Sequence, residues 1–338
     1  MPADVAIYGA GPAGCATALE LCRLGRRVVV VRKPKPTTVR TIGECLPAAA
    51  SVLLERLQLP LPDSRNHLPS AGNESTWGST LVAANQSILN PYGSGWHLDR
   101  NYFDESLRQE LERHHIPVVL EPAEVRFAVD CTGRGSALAV TKGARLLGND
   151  RLVSFAIAAG GNEHDQDSTT FTEAVAGGWW YTARLTHNRR VAAFQTDGDL
   201  PQCQVARTRK GFLALLRRTA EVNRRLTGYL IQKADPVALP AGGRRLDRAT
   251  GNCWAAVGDA AQCYDPLSSQ GLLRVFESAH RAAFAIHCAL DDDLRHLHRY
   301  QTLLELEWLR YERLRLQFYG LEHRWPESTF WQRRSGRA

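Results

Sequence analysis

The sequence predicts an α/β protein with a parallel-sheet nucleotide unit, an interleaved β-sheet domain and a long C-terminal helix. Three observations carry that expectation. A glycine-rich turn joins a short apolar run to a helical pattern within residues 4–24. A second apolar run, residues 253–257, ends at Gly258-Asp259 and leads through a polar turn into a helical pattern from Gly271. Between them, residues 177–197 alternate as the strands of a hairpin do.

In chain order, Asp4-Val5-Ala6-Ile7-Tyr8 is a buried strand, and Gly9-Ala10-Gly11-Pro12-Ala13-Gly14 follows at once. This is G-x-G-x-x-G between a strand and a helix, the setting in which it binds a dinucleotide. Gly9 permits the tight turn, Gly11 the approach of a pyrophosphate, and Gly14 the close packing of helix on strand. The helix over 16–24 stops at Gly25, and residues 28–31 form the second strand. That strand ordinarily ends in an acid that holds ribose hydroxyls. Here Arg32 stands there, followed by Lys33. An arginine suits the 2′-phosphate of NADP, or it suits FAD with Arg32 on adenine or a phosphate; the turn alone leaves both open.

At the other conspicuous turn, Asp259 can accept from sugar hydroxyls. The free N–H groups of the helix opening at Gly271 face a phosphate or an electron-rich ring.

Four further segments complete the pattern. Arg40-Thr41-Ile42-Gly43-Glu44-Cys45-Leu46-Pro47 precedes a helix over 48–57, and Trp96-His97-Leu98-Asp99-Arg100 with Phe103-Asp104 precedes a helix over 105–114. Asp130-Cys131-Thr132-Gly133-Arg134 follows an apolar run, and Asp265-Pro266-Leu267-Ser268-Ser269-Gln270-Gly271-Leu272 follows Gly258-Asp259-Ala260-Ala261. In this order, from Val5 to about Trp331, they resemble the flavoprotein monooxygenases of the p-hydroxybenzoate hydroxylase type, in their tryptophan-halogenase-like branch.

The resemblance implies a Rossmann-like FAD-binding domain of the glutathione-reductase type over residues 1–80, 96–150 and 250–290. It implies an interleaved β-sheet substrate domain over 81–95 and 151–249, and a helical C-terminal segment over 291–338. It places Gly9, Gly11, Ala13 and Gly14 on the FAD pyrophosphate, with Arg32, Arg40 and Arg100 reaching the cofactor. Asp259 would hold its ribityl or pyrophosphate portion. Pro266, Gly271 and Leu272 would run along the isoalloxazine, with the helix start near the edge where reduced flavin is negative. Glu44 would approach from the other side, as an acid or base or as a structural acceptor. His97, Trp179, Trp180 and Tyr181 are candidates for an aromatic substrate pocket, or else for ordinary sheet core.

Two departures bear on the reaction. No lysine lies between Lys35 and Lys142, and Thr76-Trp77-Gly78-Ser79 is not the W-x-W-x-I-P element of tryptophan halogenases. Without an amine to channel hypohalous acid, halogenation is disfavoured. The connection from Ile116 to Cys131 is also short for this branch, which trims one side of the sheet. A trimmed, lysine-less relative resembles the LodB/GoxB-like flavoproteins that help mature tryptophylquinone enzymes. The expected activity is therefore FAD-dependent monooxygenation by O2 of a tryptophan- or indole-type target, such as a side chain in a partner protein during cofactor maturation. A small or carrier-bound aromatic substrate, and a flavin-binding maturation scaffold without turnover, are the alternatives. With no second dinucleotide fingerprint, electrons come from visiting NAD(P)H or from a separate flavin reductase.

Composition bounds the rest. Of 338 residues, 44% are hydrophobic and 23% charged, as in soluble globular proteins, and no apolar run would span a bilayer. A strand pattern from Asp4 leaves no room for a signal peptide, so a cytoplasmic location is expected. Eight cysteines without C-x-x-C or Cys/His ligand spacing read as reduced thiols and no metal site. The net charge of +7 comes from arginines scattered among acids, which suits a solvated surface better than nucleic acid. Finally Leu297, Tyr300, Leu304, Trp308, Tyr311, Leu314, Phe318 and Leu321 form one predicted apolar stripe, read as core packing.

Overall fold

The computed structural model describes residues 3–33, 44–122, 124–148 and 150–336, the side chain of Glu44 excepted. Arg40 lies outside the described residues.

Strands rich in Val and Ala, buried on both faces, build a six-stranded sheet around Val5–Tyr8. Val28–Val31 pairs with it in parallel on one side (Val5 opposite Val28), and Phe127–Asp130 on the other (Val5 opposite Phe127). Trp254–Ala256 extends the parallel order beyond Phe127–Asp130. Such apolar runs require cover on each face. Helices Pro12–Arg23, Arg100–Arg113 and Gly271–Ala289 supply it in the largest core, which centres on Leu19, Phe103, Val129 and Phe276. The opposite face carries only the small cluster Ala6, Val29 and Val31. Beside it, a cavity of about 520 Å³ is lined by Tyr8, Val31, Leu120, Val125 and Cys253.

The second layer is an eight-stranded, mostly antiparallel sheet. The expected hairpin forms in it as Gly178–Leu185 and Arg189–Asp197, with Trp180 opposite Phe194. One domain boundary shifts. Gly72–Thr76, expected in the nucleotide domain, already belongs to this sheet because it pairs in parallel with Thr169–Val175. A three-stranded sheet, Glu44–Leu46, Gly95–Leu98 and Leu68–Ser70, stands between the two layers.

Two helices differ from expectation. The one expected over 105–114 begins at Arg100, because Asp99 caps it, accepting from the N–H groups of Asn101 (3.1 Å) and Tyr102 (3.2 Å). The C-terminal helix Arg295–Gly320 buries Leu297, Tyr300, Leu304 and Trp308 as expected, but Leu314, Phe318 and Leu321 are 39%, 54% and 58% exposed. A regular helix advances 3.6 residues per turn. By that period Phe318 falls on the line of buried Tyr300, yet the chain buries Tyr319 there instead, with Tyr311 and Arg315 half-buried; the neighbours of the helix, not its period, set the inward face after Trp308. Polar groups occupy that inward face because they have partners there.

Candidate active site

The glycine turn is shaped by what its glycines touch. Gly9 has φ +119°, and a Cβ on it would lie 2.2 Å from the carbonyl oxygen of Cys131. A Cβ on Gly14 would lie 1.8 Å from the carbonyl oxygen of Gly9, so helix and strand meet with no room for a side chain. Around the Cβ direction of Gly11 there is no atom within 4 Å. Gly9 and Gly14 are closed by the protein; Gly11 alone faces open space, as a pyrophosphate-binding turn requires.

The second turn packs on the first. Gly258, at φ +64°, sets its Cα against Ala13, and its N–H donates to Ser278 Oγ at 3.0 Å. Beside it Asp130 folds the D-x-T-G-R turn, accepting from Thr132 N (2.9 Å), Thr132 Oγ1 (2.7 Å) and Ala139 N (2.7 Å). Asp130 is thus fully engaged in structure. Asp259 is not: its carboxylate accepts no hydrogen bond among the described residues. Burial pushes its pKa up, while the charges of Arg134, Arg100 and Arg244 pull it back down. The Nε atoms of Arg134 and Arg244 are likewise buried without partners among the described residues. Arg100 lies against Asp104, its Nη2 3.1 Å from Oδ1. Arg32 ends its strand exposed, with its backbone N–H on Val119 O.

Helix Gly271–Ala289 starts without a side-chain cap, so its first N–H groups remain available to a ligand. The loop leading to it, with Pro266 exposed and Leu272 buried, is fixed from an unexpected quarter. Buried Asp265 accepts from Leu267 N (2.9 Å) and from Tyr319 OH (2.7 Å), and its own N–H donates to Tyr311 OH (3.0 Å). Tyr319 OH also accepts from Trp179 Nε1 (3.0 Å). Arg334, nearly inaccessible, donates to Asp150 Oδ1 at 2.9 Å and to Asp197 Oδ1 at 2.5 Å. The C-terminal segment therefore clamps this loop to the large sheet. No local sequence signal marks the pairings with the C-terminal segment, whose partners are 46 to 184 residues apart.

Of the expected pocket residues, Trp180 points away, stacked on Phe194 and edge-on to Phe212 under the helices of the large sheet. Trp179 is buried in the C-terminal clamp. Tyr181 and His97 join one cluster between the small and large sheets, Tyr181 at Cys45 and His97 at Thr170. Strand register sets Cys45 opposite His97. Cys45 Sγ lies 3.1 Å from Thr170 Oγ1 and 3.4 Å from Tyr181 OH, and His97 Nε2 lies 2.9 Å from the same Thr170 oxygen. The sequence reading missed Cys45 and Thr170, since they converge from separate sheets.

An uncapped helix start, an open glycine turn and an unpaired carboxylate flanked by arginines fit a flavin dinucleotide. Residues 2–119 match the FAD binding domain family. With the parallel sheet and its uncovered turn, that match decides for FAD as the cofactor, and the chain is an FAD-dependent oxidoreductase.

Its relatives narrow the class. The FAD-dependent oxidoreductase LodB of Marinomonas mediterranea is 24% identical over 98% of this chain and 96% of its own length. Among solved structures, the flavin-dependent halogenase CmlS superposes with a TM-score of 0.85 at 20% identity, covering 99% of this chain and 68% of that one. QhpG, a peptidyl tryptophan dihydroxylase essential for tryptophylquinone cofactor biogenesis, superposes with a TM-score of 0.79 at 24% identity, covering 99% of this chain and 79% of its own. No helix among the described residues is long and apolar enough to cross a membrane.

Proposed function

We propose that this chain is an FAD-dependent monooxygenase that hydroxylates a tryptophan side chain of a partner protein during quinone-cofactor maturation. The observation that carries this reading is the near end-to-end match to LodB, with QhpG, a peptidyl tryptophan dihydroxylase, sharing the fold over almost the whole chain. The lack of any lysine between Lys35 and Lys142 counts against halogenation, despite the fold shared with CmlS.

Bound FAD would supply the two-electron redox chemistry and the activation of O2. The protein's own work is binding and charge placement. Gly9, Gly11, Ala13 and Gly14 would admit the pyrophosphate to the start of helix Pro12–Arg23, with Arg32, Arg40 and Arg100 as cationic neighbours. Asp259 would accept from the sugar-like hydroxyls, its charge balanced by Arg134 and Arg244. The open start of helix Gly271–Ala289, beside Pro266 and Leu272, would favour negative charge on the reduced ring by about 1–2 kcal/mol. Glu44 is the candidate acid or base on the opposite side. Electrons would come from NAD(P)H or a separate flavin reductase, and the protein would work in the cytoplasm.

The test is mass spectrometry of the tryptophan-bearing partner protein after aerobic incubation with the FAD-loaded chain and a reductant. Addition of one or two oxygen atoms to one tryptophan supports the reading. A halogen in place of hydrogen, or an unchanged peptide alongside an oxygenated free aromatic, overturns it.

A further inference from the structure

Eight cysteines populate this chain, and one sits unlike the rest. Burial pushes the Cys15 thiol up to about 12, raises Cys131 well above the ordinary thiol value, and raises Cys263 and Cys288 as well. Those are inert positions. Cys45 is half-buried, and its sulfur is met by the hydroxyls of Thr170 and Tyr181 from two other strands, with His97 opposite it on a third. Its cross-strand neighbour His97 is 1% exposed, with Nδ1 lacking a hydrogen-bond partner among the described residues. His97 Nε2 reaches Thr170 Oγ1, Thr170 Oγ1 reaches Cys45 Sγ, and Tyr181 OH reaches the same sulfur. With the imidazole donating to the threonine, and the threonine and tyrosine hydroxyls donating to sulfur, every bond in the chain favours an anionic sulfur.

We propose that Cys45, held against His97 through Thr170 and Tyr181, is a nucleophilic thiolate and a covalent site for soft electrophiles of the α,β-unsaturated carbonyl class. The step is an addition without oxidant or reductant. The sulfur lone pair forms a C–S bond to the β-carbon, and the C=C pair moves to the carbonyl oxygen. The proton passes from His97 Nε2 through the Thr170 hydroxyl to the enolate. The inference is independent of the hydroxylation reading.

The charge environment agrees with the geometry. Burial alone would raise the Cys45 pKa, but His97, Thr170 and Tyr181 together bring it down to about 7. Burial lowers the His97 pKa, and Cys45 with the nearby Arg184 backbone outweighs that and raises it. Burial and the Cys45 charge hold the Tyr181 hydroxyl protonated. Among the described residues Arg190 also faces the pair, and it is committed to Asp165 (2.7 Å) and Asp167 (3.2 Å).

N-ethylmaleimide belongs to the proposed class, and peptide mapping after brief exposure of the FAD-loaded chain reads each cysteine separately. The Cys45 rate is expected to rise with a midpoint near pH 7, about two units below an ordinary thiol. At pH 7 the larger thiolate fraction, tempered by the lower basicity of that sulfur, leaves Cys45 roughly fivefold faster than an ordinary exposed thiol. His97→Gln should move the midpoint up toward 9 and remove that advantage. Thiolate absorbance in the ultraviolet, taken as the difference between the native chain and Cys45→Ser, reports the same midpoint without reagent access or a stable His97 variant. A native midpoint near 9 by either method, or one unmoved by His97→Gln in a folded, FAD-retaining protein, overturns the proposal. So does labelling of exposed Cys253 while Cys45 stays unlabelled across the pH range.

Discussion

The nucleotide corner and the space between the sheets are both functional in appearance, yet they are built by opposite means. At the corner, six consecutive residues from Gly9 to Gly14 do most of the work, and their requirements are those of backbone. A Cβ at either of two positions would collide with carbonyl oxygen, and at a third it would meet nothing. Between the sheets, Cys45, His97, Thr170 and Tyr181 come from four strands, with Cys45 and Thr170 separated by 125 residues. The C-terminal clamp is of this second kind. Contacts within a turn follow from the residue types in it, whereas contacts across layers depend on register and packing that only the completed fold sets.

The most severe test of the long-range side is Arg334→Ala. Removing this guanidinium leaves Asp150 and Asp197 buried with less compensation, since Arg333 also reaches Asp197 at 3.0 Å. Breaking a buried ion pair from one side costs about 3–5 kcal/mol. Denaturant unfolding should register a loss of that order, and loosening of the Asp265 loop should lower FAD retention with it. An unchanged midpoint would mean that the clamp is ornamental.

The local side is sharpened by a pair of substitutions one helical turn apart. Gly14→Ala must displace backbone, at about 1–3 kcal/mol for overpacking. It should lower the melting temperature of the FAD-free protein. Gly11→Ala meets no protein atom, so the FAD-free protein should melt unchanged while FAD titration reports weaker binding. If both variants behaved alike, Gly11 would not face the cofactor.

The same contrast explains what the sequence made legible. The glycine turn, the apolar strand runs and the Gly258-Asp259 corner are readable because each is written in a few consecutive residues, although Gly9 and Gly258 are closed by Cys131 and Ala13 far along the chain. Apolar periodicity alone does not mark the start of the helix at Arg100; the signal is Asp99 as a capping residue. Trp180 and Tyr181 are adjacent, and strand alternation sends them to opposite faces, which no composition argument could rank. Cys45 had no signal of its own, because its chemistry is made by residues far along the chain.

The smallest expected effect tests the C-terminal helix, where the apolar pattern and the buried face part company after Trp308. Tyr319 bridges Trp179 and Asp265, so Tyr319→Phe leaves a buried donor and acceptor unpaired, at about 1–3 kcal/mol. Phe318, its immediate neighbour and the larger hydrophobe by composition, is 54% exposed. Phe318→Ser should change stability by no more than about 0.5 kcal/mol, because its side chain is exposed and its bonds to Leu321 and Trp77 run through its backbone carbonyl, which the substitution keeps. Chemical denaturation of the two variants decides between the faces. Equal losses would mean that Phe318 is covered in solution, and a larger loss at Phe318 would restore the apolar stripe as core. Helical period alone does not set this order, since Phe318 lies 18 residues, five turns, beyond buried Tyr300; the bonds of Tyr319 to Trp179 and Asp265 set it.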